Sequence, residues 1–134
     1  MLRFVTLAVL GAMTAVPAAA HAAEFKVVVH PSNPIVELQQ QSLSEIFLAR
    51  TRKGPNGVRV RPVDQLLKTP VCAAFTEAAF DQPVSAIASY WTLRVFSGSV
   101  TPPPRLRSDA EVIAYVSRRR GAIGYVSADT QTAG

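Results

Sequence analysis

Two apolar segments near opposite ends of the chain constrain its fold most. Val27-Val28-Val29 is closed by His30-Pro31-Ser32-Asn33-Pro34, and Ile123-Gly124-Tyr125-Val126 is opened by Gly121-Ala122. Each is a short run rich in β-formers with turn residues at its boundary, the pattern of a strand buried in a sheet. The residues between them decide the fold class.

Those residues alternate between helical and strand patterns. Leu38, Leu43, Ile46 and Phe47 mark a first helix, the last three at i, i+3, i+4 spacing. Ser42 and Glu45 imitate a capping box. Gly54-Pro55-Asn56-Gly57 is a turn. Val58-Arg59-Val60-Arg61-Pro62-Val63 alternates apolar and basic residues, and Pro62 puts that strand at an edge or at its own end. Thr69-Pro70 caps and starts a second helix, with Val71, Ala74, Phe75, Ala78 and Ala79 on one face. Asp81-Gln82-Pro83 opens a third, with Val84, Ile87, Trp91 and Val95 as its inward stripe. Ser97-Gly98-Ser99 stops it, and Thr101-Pro102-Pro103-Pro104 is a stiff extended connection. Ser108 and Glu111 form a capping box for a fourth helix, with Val112, Tyr115 and Val116 inward. Arg118-Arg119-Arg120 suits the negative end of that helix, and Gly121 its C′ position. Strands alternating with helices predict an open α/β sheet with helices on its faces.

The first residues bear on compartment. Arg3 gives a positive start, Phe4 to Val16 is mostly apolar, and Ala18-Ala19-Ala20-His21-Ala22-Ala23 offers small residues at A-x-A spacing. This predicts a secretory signal peptide over residues 1–23, cut near Ala22 or Ala23. A membrane anchor would need ~20 apolar residues, more than this run supplies. No cysteine sits at the cleavage site, so a lipoprotein of the usual kind is excluded. The expectation is a periplasmic protein, not inserted in the membrane after cleavage, with a single domain over 24–134.

Cys72 is the only cysteine, so no intrachain disulfide forms, and its apolar neighbours make it a small buried hydrophobe. The formal net charge is +5, with Arg59/Arg61 and Arg118–Arg120 among the basic clusters. Such a surface suits anionic partners, or is simply a solvated face. An exported chain with no aromatic-basic repeat is not expected to bind nucleic acid. With His30 the one histidine left after cleavage, neither a catalytic set nor a metal-ligand spacing can be assembled, and no cofactor is expected.

In open α/β sheets ligands sit beyond the carboxyl ends of strands. Three such ends are visible, at Ser32-Asn33, Asp64-Gln65 and Ser127. Short polar side chains and free N–H groups there can hold an oxyanion. Turn chemistry alone would also explain Ser, Asn and Asp at these places.

The order of motifs resembles one lobe of the phosphate-type periplasmic solute-binding proteins of ABC transporters. The residues that carry the resemblance are Asn33-Pro34 after a valine-rich strand, Leu43-Ser44-Glu45-Ile46-Phe47-Leu48, Val58 to Val63, and Gly121-Ala122-Ile123-Gly124-Tyr125-Val126. They cover nearly all of 24–134 in order. The resemblance implies a single lobe of a type II periplasmic-binding-protein-like fold, with an open mixed sheet flanked by helices. It implies recognition of phosphate or another small oxyanion, with an ABC transporter permease or other envelope protein as partner, and no enzymatic activity. The family's Ser-Gly-Thr phosphate loop should follow Val63, where the chain has Asp64-Gln65-Leu66-Leu67-Lys68-Thr69-Pro70 instead. The candidate ligand residues are therefore Ser32, Asn33, Asp64 and Thr69. A member of the family would continue from a turn like Ala128 to Gly134 into a further valine-rich strand; if Gly134 is the real end, the sheet lacks that strand and its neighbouring edge is open. The alternative function is that of a single lobe without a ligand, kept as an interaction or accessory module.

Overall fold

The computed structural model describes residues 2–8, 24–35, 37–55, 57–98 and 100–131. In chain order the elements are β1 (Arg3–Ala8), β2 (Phe25–Val29), β3 (Glu37–Gln39), α1 (Gln40–Phe47), β4 (Arg61–Pro62), β5 (Asp64–Gln65), α2 (Pro70–Phe80), α3 (Val84–Phe96), β6 (Arg105–Leu106), α4 (Asp109–Ser117) and β7 (Ala122–Ser127). The main sheet has the order β3-β1-β2-β7-β4, and β5 pairs with β6 beside it.

The alternation of β2 and β7 builds a core on each face. Val27, Val29, Ile123 and Tyr125 point to one side, where α1 and α2 supply Leu43, Ile46, Phe47, Val71, Cys72 and Phe75. Val28, Ala122 and Val126 point to the other, against Val112 and Val116 of α4. Gly124 is required by that second packing: a Cβ there would lie 2.8 Å from side-chain carbons of both Val112 and Val63. Tyr125 stacks on Phe75 at 3.9 Å between ring centres, fixing α2 against the sheet.

The helix expectations hold with local changes. Thr69 caps α2, its Oγ1 accepting from the Cys72 N–H, and Pro70 stands at the first helical position. Ser108 caps α4 and accepts from the Glu111 N–H at 3.2 Å, while Glu111 reaches back to the Arg107 N–H at 2.8 Å. Helix α1 starts after Gln39, so Ser42 caps nothing, and Leu38 lies on β3 rather than in the helix. Trp91 is buried with Ile87 and Leu48, but Val95 is exposed, because α3 packs by its first half only. Gly121 does not adopt the left-handed conformation of a C′ glycine. Its role is close approach, since a Cβ would meet the Arg59 carbonyl oxygen at 3.0 Å.

β1 lies within the segment 1–23 expected to be a signal peptide. Its Arg3 to Val5 pair antiparallel with Val27 to Val29 of β2, and its Thr6 to Ala8 pair parallel with β3. β1 covers one edge of β2, with Leu2 and Val5 buried. Physically, β2 is buried on both faces, and its backbone N–H and C=O groups need ladder partners on both edges. The remainder of the leader reading, including the Ala22/Ala23 cleavage site, lies outside the described residues. No helix among the described residues is long and apolar enough to cross a membrane.

Candidate functional site

The strand directions separate the four candidate residues. β2 runs antiparallel to β7, whereas β4 runs parallel to β7. The chain thus leaves β2 at the end of the sheet where β4 and β7 begin. Ser32 and Asn33 sit at that end, while Asp64 and Thr69 follow β4 toward the other, with Ser127. A single carboxyl edge requires parallel strands, and the antiparallel β2 splits the set.

At the second end the polar groups close on each other. The Tyr125 hydroxyl donates to Asp64 Oδ1, which also accepts from the Gln65 N–H at 2.8 Å. The Gln65 amide donates to Asp109 Oδ1 at 2.8 Å and to the Tyr125 carbonyl at 3.0 Å. Thr130 Oγ1 donates to Asp109 Oδ2 at 2.7 Å. Thr69 donates to the Leu66 carbonyl at 2.8 Å while capping α2. Burial in the core pushes the Asp64 carboxyl above the usual carboxylate range, although the bonds from Tyr125 and Gln65 oppose this. Burial and the neighbouring Asp64 carboxyl push the Tyr125 hydroxyl and the Cys72 thiol up as well. Partial burial would raise Asp109 too, but the hydrogen bonds from Thr130, Gln65 and Ser127 outweigh it and hold Asp109 below its ordinary value.

The first end is open. A cleft of about 610 Å³ is lined by Ser32, Asn33, Pro34, Val58, Arg59, Arg61, Arg119, Arg120 and Gly121, with no acidic residue among them. The loop is set by its own sequence. The Asn33 N–H donates to the His30 carbonyl at 2.9 Å, and Asn33 Oδ1 accepts from the Ile35 N–H at 3.0 Å across Pro34. His30 Nδ1 accepts from the Ser32 N–H at 3.1 Å. Asn33 is 2 % exposed, and its Nδ2 finds no hydrogen-bond acceptor.

The arginines converge because two chain segments do. Arg59 and Arg61, two apart on an extended segment, share one side, and Val60 between them is buried. The Arg61 N–H donates to the Gly121 carbonyl at 2.7 Å, which brings that segment against the one carrying Arg119 and Arg120. Arg119 is placed by Tyr115, its guanidinium 3.8 Å from the ring centre. The side chains of Arg59, Arg61 and Arg120 have no hydrogen bond or ion pair among the described residues. From the sequence these clusters suit anionic partners or a solvated face, and Arg118–Arg120 a helix end, with nothing to bring them together. The signal that could have joined them is the β4–β7 pairing, which the sequence does not display.

A third surface lies at the end of α3. Leu93 is 73 % and Phe96 92 % exposed, and Val95 is exposed beside them.

No protein family and no curated protein matches the sequence. The structure is similar to that of an ABC-type phosphate transport receptor from Vibrio cholerae, with a TM-score of 0.61 and 18% identity. The match covers 81% of this chain and 42% of the receptor, so the chain spans less than half of that protein's length. The likeness establishes the fold: a single lobe of a periplasmic-binding-protein architecture, with an open mixed sheet flanked by helices.

Proposed function

We propose that this chain is an exported, solute-binding-like lobe that recognises phosphate or another small oxyanion in connection with ABC-type uptake, and that it is not an enzyme. The observation that carries this reading is the fold, shared with part of a receptor described as one for phosphate transport. The site residues proposed from the sequence are Ser32, Asn33, Asp64 and Thr69. The two pairs face different conditions. Asp64 and Thr69 would have to release partners they already hold, whereas Asn33 Nδ2 has none to release. A phosphate titration of the full chain followed by amide NMR tests the reading. Shifts confined to one of these strand ends are expected, and their absence at millimolar phosphate would overturn it. Export is tested separately: the N-terminus of protein recovered from a periplasmic fraction is expected near Ala23 or Glu24, and an intact Met1 in the membrane fraction would refute it.

A second reading, an interaction module without a small ligand, is favoured by the exposed Leu93, Val95 and Phe96. Exposed neighbouring apolar side chains mark contact surfaces more often than chance. Under this reading Phe96→Ser abolishes cross-linking to a purified envelope partner such as a permease and leaves the thermal midpoint unchanged.

A further inference from the structure

We propose that the arginine cleft is the anion site of this lobe and that it takes a soluble ligand carrying two or more phosphoryl groups. This rests on the oxyanion reading above and fixes where, and in what class, the ligand binds.

Three observations support it. The first is charge. Arg59, Arg61, Arg119 and Arg120 line one cleft with no carboxylate in its wall. A single phosphoryl monoester brings about −1.5 to −2 charges, which compensates roughly half of four guanidiniums. Two or three phosphoryl groups compensate them fully. The second is size. About 610 Å³ lies within the ~300–1,000 Å³ of sites for organic ligands, larger than one tetrahedral ion needs. The third is the unmet donor. Asn33 is buried in the wall of this cleft, and its Nδ2 lacks an acceptor. Buried amide donors are almost always paired, and this one is shielded from solvent, so an acceptor in the cleft reaches it only after a small shift of the Asn33 loop.

The geometry also suits the chemistry. Guanidinium forks bind phosphoryl oxygens two at a time, and they stay charged at any physiological pH. Arg119 is held in place by the Tyr115 ring and carbonyl, so part of the ordering is done before a ligand arrives.

Calorimetry and amide NMR of the full chain with orthophosphate, pyrophosphate and tripolyphosphate at constant ionic strength test the inference. Tripolyphosphate is expected to bind at least tenfold tighter than orthophosphate, with shifts at Ser32, Asn33, Arg59, Arg61 and Gly121. The double variant Arg59→Gln/Arg61→Gln is expected to weaken it at least tenfold. Arg118→Gln, next to the cleft but not lining it, is expected to leave it unchanged. Equal affinity for all three anions, or equal losses in Arg118→Gln and Arg120→Gln, would overturn the assignment and indicate diffuse charge attraction. Shifts at Asp64 and Thr69 instead would overturn this site while the oxyanion reading stands. No shift with any anion would overturn both.

Discussion

At one end of the main sheet Asp64, Gln65, Asp109 and Tyr125 bond to one another. At the other, Asn33 Nδ2 and the guanidiniums of Arg59, Arg61 and Arg120 find no partner among the described residues. Both ends are polar, and both draw on residues in or next to the strands β2, β4, β5 and β7. The difference is what the groups face. A carboxyl, an amide and a phenol can satisfy each other, so their burial stabilises a unique packing. Like charges cannot, so the arginines stay at the surface and keep their hydrogen-bonding capacity for something else. The closed end therefore serves the fold, and the open end is available for binding.

Variants at the closed end are the strongest way to break this contrast. Tyr125→Phe keeps the ring stack on Phe75 but removes the donor to Asp64 Oδ1. Asp64 Oδ1 keeps the bond from the Gln65 N–H, so the variant loses one buried hydrogen bond, about 0.5–1.5 kcal/mol, and the denaturation midpoint is expected to fall accordingly. A midpoint within error of the parent would mean that the network contributes nothing.

The pH dependence of stability separates buried Asp64 from half-buried Asp109, at no more than about 1.4 kcal/mol per pH unit for one differentially bound proton. Asp64 is raised in the fold from its ordinary 3.8, so its contribution is present below that value and is lost as pH rises through the raised one. Asp109 is lowered, so its contribution is present above 3.8 and is lost as pH falls through the lowered value. Asp64→Asn is expected to remove the decline on the alkaline side of 3.8, and Asp109→Asn the decline on the acid side. Urea midpoints across pH 2.5–8, read as order-of-magnitude slopes, check both. Identical profiles for both variants would show that the two environments do not differ.

Thr69→Ala sharpens the same contrast at smaller scale. The hydroxyl caps α2 and donates to the Leu66 carbonyl. Its loss is expected to cost about 1 kcal/mol, the usual value for a cap. Thr69→Ser should restore most of it, whereas a ligand-binding role would show instead as weaker phosphate binding at unchanged stability.

How far these two ends were legible in the sequence depends on the range of the interaction involved. Caps at Thr69 and Ser108 and the strands at β2 and β7 follow from local chemistry, and the structure has them. The direction of β2 relative to β7 is a non-local fact, and missing it merged two opposite ends into one expected edge. The arginine cleft failed to appear for the same reason: Arg59 and Arg120 are far apart in sequence and meet through a strand pairing. Leu38 shows a different limit, since one apolar residue fits a helix stripe and a short strand equally well. The run after Met1 shows it again. Phe4-Val5-Thr6-Leu7 is apolar enough for a leader and also β-prone enough to pair, Phe4 and Val5 with β2 and Thr6 and Leu7 with β3.

The arginine end should yield the smallest stability change and the largest change in charge. Arg59→Gln/Arg61→Gln replaces two exposed side chains whose guanidiniums hold no partner among the described residues. Surface changes of this kind usually stay within about ±0.5 kcal/mol. Here a small gain is expected, because two of four neighbouring positive charges are removed from a wall that has no acid. The gain should shrink as salt screens the repulsion, over a Debye length of about 10 Å at 0.1 M ionic strength. Thermal midpoints of parent and variant, measured at low and high sodium chloride, decide the point. Midpoints that converge as salt rises would establish that the four guanidiniums repel one another when no anion is bound. A variant that loses stability at every salt concentration would show that Arg59 or Arg61 serves the fold, and the contrast between the two ends would fail.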